Sequence, residues 1–317
     1  MKKYTIPGPD PRREAARIRS SRPCLKKRAR IVEALRETLR QRGFLEVETP
    51  VRVAAPAPER HIDAEPSGDR FLITSPELHM KRLVQAGYER IFQLSRCFRR
   101  GERGERHLPE FTLLEWYRQG GTAADLMRDC EALMAGAASA IGVFPRVTRQ
   151  GASIDLTPPF EAIEVADAFE QLAGWRPGAA PDPNRFDEDL VNKVEPFLPE
   201  GRPVFLTGYP ASLASLARLD PENPARAERF EMYAGGLELA NGYQELTDPV
   251  EQRRRFEEEA ALRSSAGKIA YPLDELFLGA LEMGLSECAG IALGVDRLVM
   301  LLVGARTIDE VVAFPDG

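Results

Sequence analysis

Histidine, cysteine and tryptophan are scarce in this 317-residue chain, with three, four and two copies. Cys24, Cys97, Cys130 and Cys288 lie far apart with no paired spacing, which argues against a zinc knuckle or a disulfide framework and for ordinary buried thiols. His61, His79 and His107 are too scattered to form a ligand set by themselves, so a metal site of the His/Cys type is not expected. No window reaches the roughly 18 uninterrupted apolar residues that a membrane span needs. Met1-Lys2-Lys3-Tyr4 runs into Pro and Arg rather than an apolar signal core. The expectation is a cytoplasmic protein that meets no membrane. What is present is globular in composition, 43% apolar and 29% charged, enough for one large domain or two ordinary ones.

Charge is uneven along the chain. Met1 to Gly43 carries 14 Lys and Arg against 4 Asp and Glu, while the whole chain is at −6. This basic segment is suited to steering an acidic partner, or is simply a solvated face. Residues 1–24, with Pro7, Pro9, Pro11 and Pro23, read as a loose arm, and residues 25–317 as the main domain. From Leu25 the apolar positions Leu25, Ala29, Val32, Leu35 and Leu39 recur at helical intervals, and Gly43 supplies the stop. Phe44 to Thr49 alternates as a strand closed by Pro50, and Val51 to Arg70 reads as a loop. Phe71 to Thr74 is a short strand, Ser75-Pro76-Glu77 a turn, and Leu78 to Gln85 a helix with Ser75 as N-cap.

Two extended runs, Ile91 to Phe98 and Phe111 to Arg118, are joined by Arg99-Arg100-Gly101-Glu102-Arg103-Gly104-Glu105-Arg106-His107, whose four arginines and two glycines suit an anion. Alone, that loop would read as a solvated hairpin tip. Period-2 geometry on the following strand puts Phe111, Leu113, Glu115 and Tyr117 on one face, so a carboxylate, a phenol and an aromatic plate share a surface. Glu115 between apolar neighbours needs a partner if buried, and a cationic ligand is one such partner. The stretch from Thr122 to Pro199 is helical and loop-rich and carries no chemistry that can be assigned. Pro203 to Thr207 is extended, and a Gly235-Gly236 hairpin pairs Tyr233 with Glu238, bringing Glu231 and Glu238 to one face. Two carboxylates that close repel unless a cation sits between them, and oxygen-only ligation suits Mg²⁺ shared with a polyphosphate; the alternative is two solvated glutamates on an edge hairpin. Gly290 to Met300 reads as a buried strand, a glycine and a helix with Arg297 in its first turn. A cation is locally unfavourable there, which hints at function because a bound phosphate would reverse the sign.

In this order and spacing the segments resemble the three motifs of class II aminoacyl-tRNA synthetases: the first helix, strand and Pro50; Phe98-Arg99 through His107-Leu108-Pro109-Glu110-Phe111; and Gly290 to Arg297. Thr74-Ser75-Pro76-Glu77, Phe111-Thr112-Leu113-Leu114-Glu115 and Glu238 through Leu246 give the pattern the lysyl form. Only about two dozen residues precede Leu25, too few for an anticodon-binding barrel, so no tRNA anticodon recognition is expected. The chain is thus similar to the stand-alone elongation factor P lysine ligases, which adenylate (R)-β-lysine and attach it to a lysine of elongation factor P. Ala292 stands where lysyl-tRNA synthetases have Gly and these ligases Ala.

The resemblance implies an α+β fold, an antiparallel sheet flanked by helices, in a homodimer with the Leu25 to Gly43 helix at the interface. It implies ATP and Mg²⁺ as cofactors and elongation factor P and (R)-β-lysine or lysine as partners. Arg99 would clamp the α-phosphate and the substrate carboxylate, and Phe111 would stack on adenine with Arg297 on its other side, reaching the γ-phosphate. Arg100, Gly101, Glu102, His107, Leu108, Glu238, Leu239 and Gly294 complete the implied nucleotide site, with Glu231 and Glu238 on the metal. Ser75, Pro76, Glu77, Glu115, Tyr117, Asn241, Glu245 and Ala292 would bind the amino acid, Glu245 taking the distal ammonium. Gly101 stands where the family has the glutamate that reads adenine, with Glu102 one residue on, and Leu108 replaces an asparagine. Two alternatives remain at this point: an enzyme activating α-lysine for another acceptor, and a lysine sensor that binds without activating.

Overall fold

Asp10 caps the first helix through its side chain, accepting from Arg12 N–H at 2.9 Å, and Pro11 sits at the first helical position, where its missing donor costs nothing. The helix, α1 (Pro11–Gln41), therefore begins well before the expected boundary at residue 24. Of the expected arm, residues 11–24 are helical and 1–9 lie outside the described residues, which in this computed structural model are 10–315. Pro23 is carried inside the helix, a position that costs about 3 kcal/mol by itself. Burial of Ile31, Leu35 and Leu39 in the second half offsets it. Ala29, expected on the buried stripe, faces solvent.

The chain then forms β1 (Leu45–Glu46), shorter than the strand expected to Thr49, and β2 (Arg52–Val53), β3 (Pro66–Ser67) and β4 (Arg70–Leu72). The last three make a small sheet, in which β4 overlaps the strand expected at Phe71 to Thr74 while β2 and β3 lie where a plain loop was expected. Next come α2 (Glu77–Gln85), the long hairpin β5 (Arg90–Phe98) and β6 (Glu110–Gln119), and α3 (Ala123–Ala140). The middle segment contributes the hairpin β7 (Arg146–Arg149) and β8 (Ala152–Asp155), then β9 (Glu161–Glu164), α4 (Val165–Leu172) and α5 (Pro183–Asp189). Beyond it lie β10 (Val204–Thr207), β11 (Arg229–Ala234), β12 (Leu237–Gln244), α6 (Pro249–Ser265), α7 (Glu275–Glu282), β13 (Cys288–Gly294) and α8 (Val295–Val303).

Eight strands form the main sheet in the order β1-β5-β6-β13-β12-β11-β10-β9. The six inner strands are antiparallel, while β1 with β5 and β9 with β10 pair in parallel at the edges. The expected α+β sheet is thus present with two parallel edge pairs. The middle segment is integral to it, since β9 is an edge strand of this sheet. One sheet face packs on α1, α3 and α8 through a single core that includes Leu114, Trp116, Leu133, Leu293 and Leu298. Asp129 on α3 ties that side together, taking Arg118 through two bonds of 2.6 Å and Arg42 at 2.7 Å. The other face is left to carry the site. Among the described residues no helix is long and apolar enough to cross a membrane.

Candidate functional site

Register across the sheet assembles the site. Glu231 on β11 stands opposite Asn241 on β12, Asn241 opposite Ala292 on β13, and Ala292 opposite Glu115 on β6. One rung of the sheet therefore holds four of the expected residues, with neighbouring side chains about 5 Å apart. The adjacent rung reads Arg229, Tyr243, Gly290, Tyr117. A β-carbon at Gly290 would lie 2.2 Å from Tyr117 Cε1 and 2.4 Å from Glu245 Oε1, so glycine is what lets that phenol and that carboxylate close over the strand. The register of β12 on β11 shifts between Met232 and Tyr233 of β11, leaving Leu239 of β12 as the extra residue. This bulge changes the phase of the strand, so Glu238 before it and Asn241, Tyr243 and Glu245 after it all face the same cavity.

That cavity, about 340 Å³, has two chemically distinct ends. At the cationic end Arg297 Nη1 holds the Glu238 carbonyl at 2.9 Å and its carboxylate at 3.0 Å, and Nη2 lies 2.5 Å from His107 Nε2. Glu238 thus compensates the cation in the first turn of α8. Partial enclosure, then Arg297, Arg99 and Arg106, push His107 down to about 4, so its ring is neutral at pH 7. Arg99 lies over the Phe111 ring, at 5.1 Å from its centroid, with Glu102 4.0 Å from its guanidinium. Glu231 is clasped by Arg229 at 2.6 Å and by the hydroxyls of Tyr209 at 2.5 Å and Tyr233 at 2.6 Å.

At the carboxylate end Glu115 accepts from Ser75 Oγ at 2.6 Å and Tyr117 Oη at 3.1 Å. Burial, and then the charge of Glu77, push it up to about 8 against those two donors. Glu245 is buried and pushed up to about 7, chiefly by burial, with Lys81 opposing. Lys81 Nζ lies 2.6 Å from Glu245 and 3.4 Å from Glu77. Ser75 Oγ also accepts from Glu77 N–H at 3.1 Å, close to the expected cap, although the helix proper starts after Pro76.

A family model for tRNA synthetases class II (D, K and N) matches residues 12–317. The chain belongs to the class II tRNA synthetases. In that frame the first motif is α1 with β1, the second is β5, its loop and β6, and the third is β13 with α8. Similar proteins include three elongation factor P–(R)-β-lysine ligases. That of Proteus mirabilis is 39% identical, and those of Vibrio cholerae and a Klebsiella pneumoniae strain are each 40% identical; each alignment spans 92% of this chain and 94% of the relative.

Of the residues singled out from this class II pattern, the cavity wall includes Ser75, Glu77, Arg99, Glu102, His107, Leu108, Phe111, Glu115, Tyr117, Glu231, Glu238, Leu239, Asn241, Glu245, Ala292, Gly294 and Arg297. Pro76, Arg100 and Gly101 are outside it. Arg100 and Gly101 point to solvent at the loop tip, and a β-carbon at Gly101 would meet nothing within 4 Å. Glu59, Arg106, Arg229 and Tyr243 also line it and were not anticipated. Arg106 was visible in the arginine-rich loop, whereas Glu59 sat in a segment read as plain loop. Arg263, fully buried, positions that segment by donating to the Glu59 carbonyl at 2.6 Å and the Ile62 carbonyl at 2.8 Å.

Glu231 and Glu238 both line one cavity, but the cations beside them are Arg229 and Arg297 rather than a metal, and no cluster of three candidate ligands exists among the described residues; for a divalent ion they offer the carboxylate lone pairs that these contacts leave over. Such a pair fits an ion that completes its shell with phosphate and water.

Proposed function

We propose that this class II synthetase-fold protein is an ATP-dependent, AMP-forming ligase that adenylates (R)-β-lysine and transfers it to a lysine side chain of elongation factor P. The observation that carries this reading is a single cavity with arginines at one end and a buried cluster of Glu77, Glu115 and Glu245 at the other. A substrate suited to it is an anion at one end and a cation at the other, which describes a lysine carboxylate beside ATP. The names of the relatives supply the acceptor.

In the first step a substrate carboxylate oxygen attacks the α-phosphorus of ATP and the bond to pyrophosphate breaks. The attacking group is already ionised, so no general base is needed; positioning and charge compensation carry the step. Arg99 offsets the charge that develops on the α-phosphate, Arg297 and Arg106 hold the outer phosphates, and neutral His107 accepts from Arg297 to fix its direction. Phe111 is the stacking surface for adenine. Glu102, lining the wall where Gly101 does not, takes over reading of the base. Glu238 and Glu231 would hold Mg²⁺, which supplies charge neutralisation of the polyphosphate. Glu77, Glu115, Tyr117 and Asn241 receive the ammonium near the carboxylate, Glu245 the distal one. In the second step the acceptor amine attacks the acyl carbon, forming an amide and releasing AMP.

Motif 1 adds a homodimer to this reading. Leu45, on the edge strand β1, is 53% exposed, as expected of a surface that a second copy covers. Cytoplasmic location follows from the same assignment.

The test is exchange of labelled pyrophosphate into ATP with (R)-β-lysine, α-lysine or no amino acid. Exchange strongest with (R)-β-lysine is expected. Equal or greater exchange with α-lysine would replace the substrate, and binding without exchange would replace the ligase by a sensor.

A further inference from the structure

Lys81 is the least expected charge in the molecule. It sits on α2, its side chain is 2% exposed, and it does not line the cavity. It lies beneath the carboxylate end, against Glu77 of its own helix and Glu245 at the end of β12. Cys288 of β13 faces it as well, and Glu115 and Tyr117 of β6 close the same cluster. A lone ammonium so buried would shed its proton, because low dielectric disfavours charge. Here burial does oppose the charge, but Glu245 and Glu77 outweigh it and hold Lys81 protonated. The pairing is reciprocal. Glu245 is equally buried, and neither of its oxygens has a well-aligned hydrogen-bond donor; its Oε2 meets Lys81, while Oε1 lies against the bare Cα of Gly290.

We propose that Lys81 is a positioning residue for the amine pocket: its buried ammonium anchors Glu245 by one oxygen and opposes the protonation that burial imposes, so that the other oxygen is free to meet the distal ammonium of the substrate as a carboxylate. This rests on the lysine-ligase reading above and deepens it by naming what sets the charge of the specificity residue. A substrate ammonium then needs only to complete the ionisation that Lys81 already favours, whereas an amino acid with an uncharged tail leaves Glu245 without a second cation.

The experiment compares wild type, Lys81→Met and Lys81→Arg in amino-acid-dependent pyrophosphate exchange from pH 6 to 9. In Lys81→Met, Glu245 holds its proton to higher pH than in wild type, and the substrate ammonium must displace more of it. The expected result is a KM for the amino acid about tenfold higher at pH 7 that converges on wild type by pH 9. KM for ATP should be unchanged, and Lys81→Arg should restore much of the difference. A KM profile parallel to wild type at every pH would overturn the proposal, since a purely structural loss has no reason to vanish at high pH. A second reading uses the protein without substrate. The melting temperature of Lys81→Met should fall further below wild type at pH 8 than at pH 6, because above pH 7 wild-type Glu245 has ionised beside Lys81 while the variant must still hold a proton that the unfolded chain has released; an equal gap would overturn the proposal. A wild type with no lysine-dependent exchange would sink the ligase reading, and the melting comparison would still decide whether Lys81 holds the charge of Glu245.

Discussion

At the scale of single residues, the carboxylate end is a proton store. Glu115 at about 8 and Glu245 at about 7 are partly protonated near neutrality. A bound ammonium favours the ionised forms, so binding of a diamino acid must expel protons and must tighten as pH rises through 7 to 8. Calorimetry in two buffers of different ionisation enthalpy should report proton release at pH 7 that fades by pH 9. Glu115→Gln should reduce that release and raise KM for the amino acid by at least tenfold. Gly290 is the other decisive position. Gly290→Ala forces a methyl into Tyr117 and Glu245, an overpacking that costs about 1–3 kcal/mol and raises KM for the amino acid while sparing that for ATP. Urea unfolding with exchange kinetics would read both. Glu115 and Tyr117 could be placed together from alternation along one strand. Lys81 could not, because nothing in the helical segment around it says that Glu245, more than 160 residues on, ends against it.

At the scale of elements, α1 separates two kinds of positive charge. Arg28 reaches inward, pairing with buried Asp296 at 2.6 Å and donating to Thr112 Oγ1 at 3.0 Å, whereas Lys26 and Lys27 are exposed. Charge reversal at all three would therefore confuse packing with steering. Arg28→Met leaves Asp296 buried with one remaining donor, Thr112 N–H, and should cost about 3 kcal/mol in urea unfolding. Lys26→Glu with Lys27→Glu should leave stability and amino-acid exchange alone and slow modification of an acidic acceptor, most at low salt. The bulge at Leu239 shows the limit of pattern reading in strands. Alternation places Glu231 and Glu238 on one face, as found, but an unbroken period would send Asn241, Tyr243 and Glu245 to the other. One extra residue reverses that, and its signal is a backbone irregularity that composition does not carry.

For the whole molecule, the same buried acids set the dependence of stability on pH. Glu59 and Glu245 at about 7 and Glu115 at about 8, each raised first by enclosure away from water, bind protons in the folded state that they would release unfolded. Between the ordinary glutamate value and pH 8 the folded form therefore holds more protons, and their contribution to stability falls as pH rises. Carboxylates held low by arginines, such as Glu251 at about 2, titrate below this window. The melting temperature of the free protein should decline from pH 5.5 to 8.5, and a saturating diamino acid should remove much of that decline; a flat profile would count against the acid cluster. The paired strands and the face shared by Glu115 and Tyr117 could be read from short-range periodicity and the arginine loop from its composition, while the fold class and most of the cavity wall came through the resemblance to class II synthetases, which rests on motifs contiguous in the chain. The start of α1 was misread because Pro11 opens a helix when Asp10 caps it, a distinction that proline counting misses. The middle segment, the loop bearing Glu59 and the Lys81 counter-ion were decided by tertiary structure. Their roles come from contacts between distant segments, where burial turns an ordinary charge into one that must find a partner.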